Sequence, residues 1–124
     1  MSKKKILVVD DSKTALFMVL TILRKERYEL VTASDGEQAL EMAASERPDL
    51  ILMDVIMPRK TGFEACRELK RREDTRAIPV ILVTTRGEGE NVEAGFQSGC
   101  NDYVTKPINA LELLTKVREH MGAR

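Results

Sequence analysis

Short apolar runs alternate with longer helical patterns along the whole chain, and this alternation restricts the fold more than any other feature. "KILVV" (5–9) precedes a helical pattern over 13–27. "ELVTA" (29–33) precedes "GEQALEMAASE" (36–46), which stops at Arg47-Pro48, since a proline disfavours helix in the residue before it. "LILM" (50–53) leads through a loop to "GFEACRELKRR" (62–72), and "PVILVT" (79–84) to the glycine-studded segment 88–99. "DYVT" (102–105) leads to "ALELLTKVREHM" (110–121), with Leu111, Leu114 and Val117 as its apolar positions. Five strands alternating with five helices imply a parallel sheet wrapped on both faces by right-handed crossovers. Runs such as "ILVV" and "VILV" lack polar alternation, as strands covered on both sides do. The expected strand order is 2-1-3-4-5, with a ligand crevice at the carboxyl ends of strands 1 and 3.

At 124 residues the chain reads as one domain, 1–124, large enough to bury a core without staples. Twenty basic residues balance twenty acidic ones, so no charge bias favours nucleic acid or an anionic membrane. "KKKILVVDD" is too short for a signal peptide, and "ALFMVLTIL" (15–23) is half the length of a spanning helix. Cys66 and Cys100 fit no metal-ligand spacing, and two thiols without a signal suggest a reduced, cytoplasmic setting. Cys66 is in register with Phe63 and Leu69, as a buried inert residue would be.

In "DLILMDVIMP" (49–58) a carboxylate, Asp54, interrupts chain bound for a core, which is costly unless its charge is compensated. The other strand ends explain it. Strand 1 ends in Asp10-Asp11, strand 4 in Thr84-Thr85, and strand 5 runs into Lys106-Pro107. Singly these have ordinary readings: Asp11 or Ser12 caps a helix, and Lys106 is a surface lysine. Jointly, four strand ends deliver polar groups to one edge. Crowded carboxylates repel, and a hard cation such as Mg²⁺ relieves this with oxygen ligands, Mn²⁺ being able to substitute. No histidine or cysteine stands at these ends to suit zinc or copper. A lysine adds a point charge for a phosphate-like anion. The sum is a phosphoryl-transfer site with an aspartate nucleophile.

"ILVVDDS", "LILMDVIMPRKTGFEACRELK", "IPVILVTT" and "GCNDYVTKP" closely resemble the receiver domains of two-component response regulators, over essentially the whole chain and in order. The resemblance implies a flavodoxin-like (βα)5 sandwich and a stand-alone, CheY-like receiver of the kind used in chemotaxis and motility. It implies that Asp54 accepts a phosphoryl group from a sensor histidine kinase or phosphotransfer protein. Asp10, Asp11, Asp54 and the Ile56 backbone carbonyl would then bind Mg²⁺, Thr84 would hydrogen-bond the phosphoryl group, and Lys106 would pair with it. Lys106-Pro107 would be a cis peptide. Tyr103 would swing inward on activation and alter the face made by the fourth helix, fifth strand and fifth helix. Such a protein catalyses only its own phosphorylation and dephosphorylation, and acts by binding a downstream target protein. It is expected as a monomer, with dimerisation on activation open.

Several positions are particular to this chain. Ile56 and Arg86 stand where receivers tune phosphoryl lifetime; Ile56 cannot orient water, which implies slow dephosphorylation. Segment 88–99, with Gly89, Gly95 and Gly99, suits either a moving element or a short helix ended by glycines. On the first helix a core stripe of Ala15, Met18, Val19, Ile22 and Leu23 leaves Leu16, Phe17 and Leu20 surplus, for docking a phosphotransfer helix or for packing on the fifth helix. "KRRED" (70–74) reads as a solvated helix end. Rival functions are a phosphate sink or relay intermediate, and a fragment of a larger regulator. An aspartyl-nucleophile phosphatase would want an acid where Ile56 stands, and a flavin electron carrier a hydroxyl-rich loop in place of "DDSKT".

Overall fold

The structure, a computed structural model, describes residues 3–85 and 97–121. Within them β1 (Lys5–Val9), β2 (Glu29–Ala33), β3 (Leu50–Asp54), β4 (Val80–Thr85) and β5 (Asp102–Lys106) form one parallel sheet in the order β2-β1-β3-β4-β5. The helices are α1 (Lys13–Leu23), α2 (Gly36–Glu46), α3 (Gly62–Arg71) and a last helix, Ala110–Met121. The expected order and parallel pairing are what the chain adopts.

Because strand side chains alternate between faces, the sheet divides the core in two. Leu7, Val9, Ile51, Met53, Val80 and Leu82 pack with α2 and α3. Ile6, Val8, Leu50, Leu52, Ile81, Val83 and Val104 pack with α1 and the last helix. β3 is buried at all five positions, which explains its unbroken apolar run. Ser12 caps α1 by accepting from the Ala15 amide, Asp35 caps α2, and Thr61 with Glu64 forms a capping box on α3. Arg47 ends α2 in the left-handed region, directly before Pro48.

In two helices one expected core position turns outward, while Val19, Ile22 and Leu23 of α1 and Leu114 and Val117 of the last helix pack as expected. α1 ends at Leu23, not at 27, and buries Val19 and Leu23. Met18, expected inside, is exposed beside Phe17, whereas Leu16 and Leu20 lie against the core. A helix apolar all round leaves its phase undecided, and tertiary packing decides it. The last helix buries Leu113, Val117 and Met121 and exposes Leu111. Spacings of three and of four both keep one face, and the second applies. Cys66 and Cys100 are buried as free thiols, and burial pushes both thiols up, Cys100 to about 11. Gly99 takes a φ of 96°. Arg86, Gly89, Gly95 and most of the expected fourth helix (88–99) lie outside the described residues. Among the described residues no helix is long and apolar enough to cross a membrane.

Candidate phosphoryl-acceptor site

The alternation that builds the core also places the site. Ile6, Val8 and Asp10 share one face of β1 and its continuation. Leu50, Leu52 and Asp54 share that face on β3, and Val104 and Lys106 share it on β5. Asp10, Asp54 and Lys106 therefore stand at the carboxyl edge above the layer that holds α1 and the last helix. Lys106 Nζ lies 3.0 Å from Asp54 Oδ1 and 4.0 Å from Asp10 Oδ2. Carboxylate oxygens of Asp10, Asp11 and Asp54 fall within 4.8 Å of one another. Asp10 and Asp54 are buried, while Asp11 is exposed. The Ser12 amide donates to Asp10 Oδ1 at 2.9 Å, so the turn that starts α1 also holds a carboxylate in place.

Burial chiefly pushes both buried carboxyls above the usual carboxylate range. At Asp54 the neighbouring Asp10 and Asp11 charges push the same way, and Lys106 opposes them. At Asp10 the Ser12 amide and Lys106 oppose the burial. Among the described residues one ammonium thus pairs with two buried carboxylates that have a third, Asp11, beside them, which leaves this group short of positive charge. That shortage, with oxygen-only donors at this spacing, fits a hard divalent cation such as Mg²⁺ and gives no foothold to a soft metal.

Thr84 has the opposite parity, following Val80 and Leu82 on the α2–α3 face. It is buried, and its Oγ1 has no hydrogen-bond partner among the described residues. A buried hydroxyl without a partner costs free energy, so this one is available to a new acceptor. The Lys106–Pro107 peptide is cis. Tyr103 is half-buried, with Lys116 Nζ 4.9 Å from its ring centroid and also donating to its carbonyl at 2.6 Å. Lys116 further pairs with Asp102, whose Oδ2 accepts from His120 Nε2 at 2.9 Å.

The loop 55–61 leaves β3 beneath the site. Its base closes where the Gly62 amide donates to the Val55 carbonyl at 2.8 Å. Ile56, two residues past Asp54, points its side chain outward and is 65% exposed, while Met57 returns to the core. Strand ends marked Asp10, Asp54, Thr84 and Lys106 in the sequence. Lys60 carried no such mark, since its ion-pair partners are distant in sequence.

Residues 6–118 match the family described as the response regulator receiver domain. The chain belongs to that family. The receiver is 46% identical over 115 residues to the response regulator PleD of Caulobacter vibrioides, covering 92% of this chain but only 25% of PleD. It is 38% identical over 113 residues to the protein PilH of Pseudomonas aeruginosa, covering 91% of this chain and 93% of PilH. Among solved structures, it resembles the receiver domain of the sensor histidine kinase PA1611 from Pseudomonas aeruginosa with a TM-score of 0.91 at 32% identity. That match covers 98% of this chain and all of the other, whose structure holds a magnesium ion coordinated in the active-site cleft.

Proposed function

We propose that this receiver accepts a phosphoryl group on Asp54 from the phosphohistidine of a sensor kinase or phosphotransfer protein, in the cytoplasm. One observation carries the reading: Asp54 presents its carboxylate 3.0 Å from the Lys106 ammonium and within 4.8 Å of two further carboxylates. An Asp54 oxygen attacks phosphorus, a P–O bond forms, and the P–N bond breaks with its electron pair leaving on the imidazole. Lys106 stays with the equatorial oxygens, and Thr84 Oγ1 supplies a donor that the resting fold leaves unused. Asp10, Asp11, Asp54 and the Ile56 carbonyl would hold Mg²⁺, which supplies charge neutralisation for the transferring group.

The added charge and acceptors draw Thr84 and Lys106 inward and release Tyr103 from its place under Lys116, so that the surface around β5 and the last helix binds a target protein. Phe17, with Leu16 and Leu20 behind it, forms part of the surface that meets the phosphodonor helix. Ile56, offering no group to orient water, favours a long-lived phosphoryl group. PilH, matched over nearly its full length, supports a stand-alone receiver. PleD, of which the chain spans a quarter, supports a second reading, a receiver within a longer regulator. The site is tested by incubation with a small phosphodonor and mass measurement. One phosphoryl group should be gained in Mg²⁺ and none in EDTA or in Asp54→Ala; Mg²⁺-independent gain, or gain in Asp54→Ala, refutes the assignment.

A further inference from the structure

The loop that carries Ile56 is fixed at both ends but exposes Ile56 itself, so something else must set where its middle lies. Met57 anchors one side in the core. On the other side two cations reach α2 and α3. Arg59, in the left-handed region at φ 70°, places Nη1 2.8 Å from Asp35 Oδ2. Its side chain is 73% exposed, so water and salt weaken that pair.

Lys60 is different. Its side chain is only 19% exposed, and its Nζ pairs with Glu68 on α3 and, at 3.5 Å, with Glu37 in the first turn of α2. Glu68 is also held by Arg72 at 3.6 Å. The stem and backbone of Lys60 lie hard against α2: a Cβ added to Gly36 would stand 2.7 Å from the Lys60 carbonyl oxygen. Gly36 is the residue that lets the loop come this close. One ammonium thus ties the loop to both helices of its layer, four residues from Ile56 and six from Asp54.

We propose that Lys60 is a positioning residue for the metal and phosphoryl site, fixing the loop in the place where the Ile56 carbonyl completes the oxygen set. The inference rests on the reading of that site given above. Lys60→Met keeps the aliphatic stem and removes the tie. The loop then samples other positions, and the apparent dissociation constant for Mg²⁺ rises in inverse proportion to the competent fraction that remains.

Calorimetric titration with Mg²⁺ at constant ionic strength measures this. Lys60→Met should weaken binding about fivefold, and Lys60→Arg should recover most of it. Hydrogen exchange of the Ile56, Met57, Arg59 and Lys60 amides in the metal-free protein should quicken in Lys60→Met and not in Lys60→Arg. Urea unfolding in EDTA serves as the control. A merely structural lysine lowers the unfolding midpoint while the Mg²⁺ constant stays within twofold of wild type, and that result overturns the proposal. Wild type that binds no Mg²⁺ overturns both the proposal and the site reading beneath it. Binding in wild type that is unchanged in Lys60→Met removes the positioning role alone.

Discussion

Asp54→Asn should make the metal-free protein more stable, although it deletes an ion pair. The repulsion from Asp10, with oxygens within 4.8 Å, is about 3.5 kcal/mol at an effective dielectric of 20. Asp11 adds roughly 1–2 kcal/mol once its exposure is allowed for. The attraction of Lys106 at 3.0 Å is about 5.5 kcal/mol on the same scale. That side chain is 35% exposed, and screening reduces the attraction to roughly 3 kcal/mol. The burial penalty on the charge adds to the repulsion. The net gain on neutralising Asp54 comes to at least about 1.5–2.5 kcal/mol, or roughly 6–10 °C in Tm for a domain of this size.

Urea unfolding of wild type and Asp54→Asn in EDTA reads this as a shift of midpoint at constant slope. The advantage should fade in Mg²⁺, because the ion at ten times its dissociation constant stabilises wild type by about 1.4 kcal/mol. The sign with pH follows from the raised carboxyl pKa. Between the unfolded and folded pKa the native state binds more protons than the unfolded chain, so wild type gains stability as pH falls through the folded value. The gap between wild type and Asp54→Asn should therefore narrow on acidification from neutral pH. A variant less stable than wild type in EDTA, or a gap that widens toward acid, refutes the charge accounting.

Gly62→Ala should cost at least about 2 kcal/mol by urea unfolding, because the new Cβ would stand 2.4 Å from the Asp54 carbonyl oxygen and 2.9 Å from Val55 Cα, both backbone atoms. Thr84→Val should leave stability unchanged or raise it by up to about 1 kcal/mol, since Oγ1 has no partner to lose, while shortening phosphoryl retention; a marked loss of stability would contradict the unpartnered hydroxyl. Ile56→Asn should shorten the lifetime of the Asp54 phosphoryl group severalfold, followed by loss of label after the donor is removed. Phe17→Ser should weaken phosphotransfer from the partner while labelling by a small phosphodonor stays the same; an unchanged partner reaction removes Phe17 from the docking surface.

The strands were legible because a buried parallel sheet needs unbroken apolar runs, and β1 and β2 begin and end where the sequence places them. The site was legible for a related reason: a charge at the end of such a run is conspicuous. Helical phase was not. α1 is apolar on nearly every side, so Met18 and Leu16 exchange the places expected of them. In the last helix Leu111 and Leu113 stand on opposite sides, and the sheet beneath selects the side of Leu113. Nor could spacing announce Lys60, because Glu37 lies on a different crossover and Glu68 beyond the loop. Strand parity is the more instructive omission. The sequence shows four polar strand ends as equals, whereas the pleat assigns Asp10, Asp54 and Lys106 to one layer and Thr84 to the other.

The sheet is a wall between two separately packed rooms, and strand alternation gives each room its own furniture. Asp54 and its lysine stand on one side of the wall, and the spare hydroxyl of Thr84 on the other. A group small enough to sit on Asp54 yet with oxygens enough to engage Lys106 and Thr84 together would join the two rooms at the carboxyl edge they share. Mutations that alter the response should accordingly fall into two sets that do not touch, one among α1 and the last helix, the other among α2 and α3, with effects that add within neither contact network but meet at the carboxyl edge.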